Sequence, residues 1–93
     1  MSADTLASKY ISSAAKVFEE ISLASLPITL TEQDVAKVLR WAQDYLEDAK
    51  YYKAQGRFET SLTSVAYCEG LLDALRLLGA VNFDWPTSKE RKP

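Results

Sequence analysis

Two carboxylates lie one helical turn apart in the third helical pattern of the sequence, and a guanidinium group follows three residues later. These side chains are Glu69, Asp73 and Arg76, and their i, i+4, i+7 spacing places all three on one face of a helix. Two carboxylates this close repel each other unless a cation or a proton lies between them. The spacing therefore permits two interpretations. One is a polar site that binds a cation or a basic partner, and the other is a partly exposed row of ion pairs.

A second set of side chains with binding character lies along the preceding helix. Its members are three aromatic residues and one acid at the edge of an apolar stripe: Trp41, Tyr45, Asp48 and Tyr52. Aromatic side chains beside a polar group are typical of the residues that dominate binding energy in protein interfaces. The alternative is a core boundary at which the tyrosine hydroxyls reach water. If the two helix edges face each other, Asp48 would approach Glu69 and Asp73, and three carboxylates could hold a divalent cation.

The composition excludes several kinds of active site. The 93 residues include no histidine, one cysteine and three glycines. Without histidine the chain has no Ser-His-Asp triad, no Cys-His nucleophile pair and no histidine-based zinc site. Cys68 lies on an apolar face and is expected to be a small buried residue. These counts favour a non-enzymatic protein that needs no cofactor.

Charge is distributed unevenly along the chain. Residues 1–86 carry 8 basic and 12 acidic side chains, whereas residues 87–93 carry three basic and one acidic. An acidic body argues against a nucleic-acid-binding protein, because neutralising phosphates requires clustered lysine and arginine. We expect residues 87–93 to form a disordered basic tail. Weak RNA contact through this tail is the third and least favoured hypothesis of function.

The sequence also predicts where the protein resides. No apolar run approaches the roughly 20 residues that a membrane span needs. The first residues show no basic segment followed by an apolar run, which is the pattern of a secretory signal. A single cysteine is compatible with a reducing compartment. We therefore expect a cytoplasmic protein without membrane association.

Three helical patterns would position the candidate residues. Apolar residues recur at three- and four-residue steps over residues 4–25, and Pro27 disfavours helical geometry just before it. The second pattern covers residues 32–55. It begins at a near capping box from Thr31 to Asp34, shows heptad spacing and ends at Gly56, a left-handed cap.

The third helix is predicted over residues 58–78 and is closed by Gly79. It is apolar over more than half its circumference, so we expect it to be central. Its short connection makes it an antiparallel neighbour of the second helix. Residues 80–86 alternate apolar and polar, which indicates an extended segment with one apolar side. The sequence thus predicts an all-α three-helix bundle, a single domain over residues 1–86, with an extended C-terminal tail.

Three stretches of the chain carry a resemblance to a known family: residues 45–52, 56–58 and 65–79. Their sequences resemble a small archaeal family, the domain of unknown function 357. The run from Tyr67 to Leu75 is the most specific part, although Cys68 stands where the family favours a small residue such as alanine. The resemblance implies a three-helix bundle of archaeal origin. It implies no particular activity, because none is established for the family. It places Asp48, Glu69 and Asp73 within the characteristic motifs.

Two hypotheses of function follow. The leading one is a non-enzymatic protein–protein interaction module, either an adaptor subunit or a homo-oligomer. Its contacts would come from the edge that carries Trp41, Tyr45, Asp48 and Tyr52 and from the face that carries Glu69, Asp73 and Arg76. The alternative is a site for a divalent metal or a small ligand, built from Asp48, Glu69 and Asp73, which could be catalytic together with a partner.

Overall fold

A computed structural model describes residues 2–86, and these residues form three helices joined by irregular segments. The helices are α1 (Ala3–Glu20), α2 (Glu32–Ala54) and α3 (Phe58–Leu77). No strand occurs within the described part of the chain. The all-α class and the three helices are therefore confirmed, and the bounds of α2 and α3 agree with the prediction within one residue. The basic segment 87–93, predicted to be disordered, lies outside the described residues.

The ends of α2 are fixed by local chemistry that the sequence encodes. The backbone N–H of Asp34 donates to the Thr31 hydroxyl at 3.1 Å, and the N–H of Thr31 donates to the Asp34 carboxylate at 3.0 Å. This reciprocal capping box satisfies two backbone donors at the start of the helix. Its backbone hydrogen bond also holds the pKa of Asp34 below its usual value. Gly56 follows the helix with a φ of 76°, the left-handed conformation that favours glycine.

The helices α2 and α3 pack against each other as an antiparallel hairpin. The Ser61 hydroxyl donates to the Ala49 carbonyl at 2.7 Å, and the rings of Tyr45 and Tyr67 stack at 4.3 Å. Residue numbers thus fall along one helix as they rise along the other. The seam between the helices contains the buried residues of the described chain, Ala42, Ala49, Cys68 and Leu75. Small residues at most of these positions allow the two helix axes to lie close together.

The first helix ends earlier than predicted. It stops at Glu20, and Ile21 has an extended backbone with φ −67° and ψ 141°. The prediction of a helix to residue 25 was therefore wrong. Pro27 restricts only the residue immediately before it, so it left the position of the helix end open. The serines at 22 and 25 compete with the helical backbone for hydrogen bonds, and residues 21–25 gain no burial to compensate.

No residue of α1 is buried, and α1 does not pack against α2 or α3. The connector of residues 21–31 is also exposed throughout. As a result α3 is covered by its partner helix on one side only, and it is not the central helix that its composition predicted. Leu62 and Leu77, on its outer side, remain 67% and 83% exposed.

The C-terminal segment of residues 80–86 is extended, as predicted, and folds back along α3. Gly79, with a φ of 78°, turns the chain after the helix, and the N–H of Ala80 donates to the carbonyl of Leu75. Val81, Phe83 and Trp85 are half-buried, whereas the residues between them are exposed. The alternation of apolar and polar residues therefore predicts which side of this segment packs against α3.

Candidate interaction surface

The hairpin has two sides, and the rotation of about 100° per residue along each helix determines which residues lie on each side. Cys68 lies in the seam, so Tyr67 and Glu69 project to opposite sides of it, about 100° away in either direction. Because Tyr45 stacks on Tyr67, the edge of α2 that carries Tyr45 belongs to the Tyr67 side. Asp48 lies one turn beyond Tyr45 on this edge, away from Glu69.

One side of the hairpin is rich in aromatic and aliphatic side chains. We call it the aromatic face, and it consists of Trp41, Tyr45, Tyr52, Tyr67 and Leu71. Trp41 is 55% exposed and Tyr67 is 51% exposed, although both are large apolar side chains. Large exposed apolar patches mark interaction surfaces in soluble proteins. The structure thus places the predicted edge residues Trp41 and Tyr45 on one surface with additional residues from α3.

The aromatic face ends near the turn between α2 and α3. There the Arg57 guanidinium lies 4.9 Å from the centre of the Tyr52 ring, and Tyr51 meets Tyr52 edge-on at 5.3 Å. A cation over an aromatic ring is attracted by the negative charge density of the ring face. These contacts orient Tyr52 and form a polar border to an otherwise apolar surface.

The opposite side of the hairpin carries the predicted polar face and holds the C-terminal segment. The indole N–H of Trp85 donates to Asp73 Oδ1 at 2.9 Å, and Arg76 Nη2 lies 3.6 Å from the same oxygen. The Arg76 guanidinium also lies 5.4 Å from the centre of the Phe83 ring. Phe83 and Trp85 meet edge-on at 5.1 Å. Asp73 and Arg76 therefore anchor residues 80–86, while Glu69 lies half-buried one turn earlier on α3.

The predicted convergence of Asp48, Glu69 and Asp73 is not found. Among residues 2–86, no group of three carboxylate, thiol or imidazole side chains lies close enough to hold a metal ion. The physical reason is the rotation of each helix about its axis: Asp48 lies on the same side of the hairpin as the aromatic face, and the other two carboxylates lie on the opposite side. Sequence spacing alone could not show this, because it does not say which helix edges meet.

A groove of about 560 Å³ lies where α2 begins and α3 ends. Its apolar lining comes from the entry to α2 and from the turn after α3: Leu30, Val35, Leu39, Leu78 and Val81. Glu32 is the charged residue of this lining. The groove can accept an apolar side chain but presents no pair of groups that could carry out acid–base or nucleophilic chemistry. Leu30 and Val35 flank the start of α2 at the two positions of a hydrophobic staple, and this pattern is the sequence signal that could have located the groove.

Cys68 is a buried free thiol, as predicted. Burial, with a smaller contribution from the nearby Glu69 carboxylate, raises the pKa of this thiol above its usual value. A raised pKa leaves less of the reactive thiolate at neutral pH. Cys68 therefore acts as a packing residue of the seam.

The first helix presents an apolar surface that is as continuous as the one inside the hairpin. We call it the α1 apolar face, and its residues are Leu6, Ala7, Tyr10, Ile11, Ala14, Val17 and Phe18. All seven are exposed, and Phe18 is 80% exposed. The polar side of the helix carries Ser8, Ser12 and Lys16. A stripe of this width is typical of a helix that buries one face against another element.

Comparison with known proteins identifies one family. The family described as a protein of unknown function, DUF357, matches residues 9–81. That span includes most of α1, all of α2 and α3, and both faces of the hairpin. No curated protein matches the chain, and no solved structure matches it. Within residues 2–86, each helix is too short or too polar to cross a membrane.

Proposed function

The chain belongs to the DUF357 family, whose description assigns no activity, and we propose that it is a non-enzymatic module that associates with itself. The observation that supports this proposal is the α1 apolar face. Seven apolar residues lie on one side of α1, and the described chain offers them no cover. Leaving such a surface in water is unfavourable by roughly 25 cal/mol per Å² of apolar area. Association would remove that cost.

The total surface of the chain supports the same proposal. The protein exposes 8144 Å², whereas a compact monomer of this mass would expose about 5,400 Å². The excess, about 2,700 Å² per chain, is larger than the roughly 800 Å² that each partner buries in a standard protein interface. The uncovered surface is therefore large enough to supply an interface of standard size.

The polar side chains support a structural role rather than a catalytic one. Asp73 accepts a hydrogen bond from Trp85, and Arg76 lies between Asp73 and Phe83. These contacts tie the C-terminal segment to α3. They engage Asp73 and Arg76, two of the three residues of the predicted polar face.

Sedimentation equilibrium on the native chain tests the proposal. We expect a mass above the 10.4 kDa of one chain, and we expect Ala14→Asp to shift the protein towards monomer. Ser12→Asp is the matched control, because it places the same carboxylate on the polar side of α1. Circular dichroism of both variants would verify that the helices remain formed.

Two outcomes would contradict the proposal. One is a native protein that stays at the mass of one chain up to millimolar concentration. The other is an oligomer that Ala14→Asp and Ser12→Asp affect equally, because the α1 apolar face would then not be the contact. A protein that is monomeric alone but binds a different protein through this face would replace self-association with the adaptor role.

A further inference from the structure

We propose that α1 of one copy lies along the aromatic face of a second copy, and that α1 of the second copy lies along the aromatic face of the first. This inference rests on the proposed function and specifies its geometry. Each chain has one amphipathic helix without cover and one hairpin face with exposed aromatic residues. A reciprocal exchange covers both surfaces in both copies and closes the assembly at two chains.

The dimensions of the two surfaces agree. At 1.5 Å per residue, the 18 residues of α1 span about 27 Å. The 23 residues of α2 and the 20 residues of α3 span about 35 Å and 30 Å. The aromatic face is therefore long enough to cover the whole of α1. In this position α1 would contact both helices of the hairpin.

The side chains are also complementary in size. Ala7 and Ala14 lie seven residues apart along the middle of the α1 apolar face, with larger residues such as Tyr10 and Phe18 on either side. The aromatic face has the opposite arrangement, because the stacked rings of Tyr45 and Tyr67 occupy its centre. Large side chains opposite small ones allow two surfaces to interdigitate at the packing density of a protein interior.

The α1 helix lies away from the hairpin of its own chain, which leaves it accessible to a second copy. The residues from Ile21 to Thr31 are not helical and are fully exposed, and they leave α1 without contact to the α2–α3 pair of its own chain. Eleven extended residues can span more than 30 Å. They are thus long enough to carry α1 onto a neighbouring molecule. Exchange of an identical element between two copies is a low-cost route to a dimer.

A lipid surface fits α1 less well. Interfacial helices carry many lysine or arginine residues on their polar side. The α1 helix has two lysines and three acidic residues, so an anionic membrane would repel it as much as attract it. A second copy needs no such charge, since the aromatic face is apolar at its centre.

Isotope-filtered NMR on a mixed sample tests the exchange. Equal amounts of ¹³C,¹⁵N-labelled and unlabelled protein would be unfolded together, refolded and examined for nuclear Overhauser effects between labelled and unlabelled chains. We expect intermolecular effects from the methyl groups of Ala14 and Val17 to the ring protons of Tyr45 and Tyr67. The same effects found only within one chain would overturn the proposal, because α1 would then lie on its own hairpin.

The outcomes separate this inference from the function on which it rests. A dimer in which α1 contacts the α1 of the other copy would overturn the exchange but leave self-association intact. A monomer with all effects within one chain would overturn both. A dimer with effects from α1 to the aromatic face of the other copy supports both.

A pair of substitutions on α2 gives a second readout. Trp41→Lys places a charge on the aromatic face, and we expect it to weaken association roughly 30-fold or more, as for other interface tryptophans. Gln43→Lys introduces the same side chain two positions away, on a different side of α2, and should leave the dissociation constant within about threefold. Equal effects of the two substitutions, measured by sedimentation, would show that the aromatic face is not the contact.

Discussion

The α2–α3 hairpin and the α1 helix differ in how their apolar surfaces are covered. Both have regular stripes of apolar residues, yet the hairpin buries Ala42, Ala49, Cys68 and Leu75 while α1 buries none. The difference lies in the connections. A three-residue turn forces α2 and α3 together, whereas residues 21–31 place no such constraint on α1. An amphipathic pattern thus indicates which side of a helix will be buried, and the connection decides whether its own chain can cover it.

The largest expected effect comes from breaking the seam of the hairpin. Leu75 is 5% exposed, and Leu75→Ala should lower the free energy of unfolding by about 2–5 kcal/mol, through lost burial and the cavity left behind. Leu77→Ala makes the same change two residues away at a position that is 83% exposed, and it should cost less than about 0.5 kcal/mol. Urea titrations followed by circular dichroism would measure both.

That pair of variants also tests the contrast between covered and uncovered leucines. If Leu77→Ala destabilised the protein as much as Leu75→Ala, the outer side of α3 would be buried in the native assembly. The hairpin seam would then not be the main source of stability.

An intermediate effect is expected at the helix caps. Thr31→Ala removes the hydroxyl that accepts from the N–H of Asp34, and it should lower the free energy of unfolding by about 1 kcal/mol, because α2 is part of the packed hairpin. Ser2 caps α1 in the same way, accepting from the N–H of Thr5 at 3.1 Å. Ser2→Ala should cost less than Thr31→Ala, since the first turn of α1 can fray without loosening the hairpin. The comparison needs thermal or urea unfolding of both variants; a larger cost for Ser2→Ala would show that α1 is the more tightly integrated helix.

The smallest effect concerns pH and the buried thiol. The folded-state pKa of Cys68 is raised by burial, so the protonated thiol stabilises the fold. This contribution is fully present below the unfolded pKa of about 8.5 and is lost as the pH rises through the folded pKa. The native chain should therefore lose more stability than Cys68→Ala between pH 8 and pH 10. Parallel losses in the two proteins would place Cys68 outside the seam.

Much of the fold could be predicted because its signals are local. The capping box at Thr31, the left-handed Gly56 and Gly79, and the alternation at Phe83 and Trp85 each depend on a few neighbouring residues, and the structure confirms all of them. The end of α1 was mispredicted because the effect of Pro27 is confined to one residue.

The candidate site was harder to predict because it depends on how helices meet. The sequence proposed Trp41 and Tyr45 for a binding edge, but nothing in it could place Tyr67 beside Tyr45. It also allowed Asp48 to approach Glu69 and Asp73, but Asp48 lies on one side of the hairpin and the other two carboxylates lie on the opposite side. The role of Asp73 in holding Trp85 was missed for the same reason, since the contact joins residues twelve positions apart.

Hydrogen exchange of the backbone amides, measured over a range of protein concentrations, tests the central claim most directly. If α1 is covered by a second copy, amides within residues 6–18 will be protected at high concentration and will lose that protection on dilution below the dissociation constant. Amides of α1 that keep the same protection at every concentration would contradict the account, because a helix covered by its own chain does not respond to dilution.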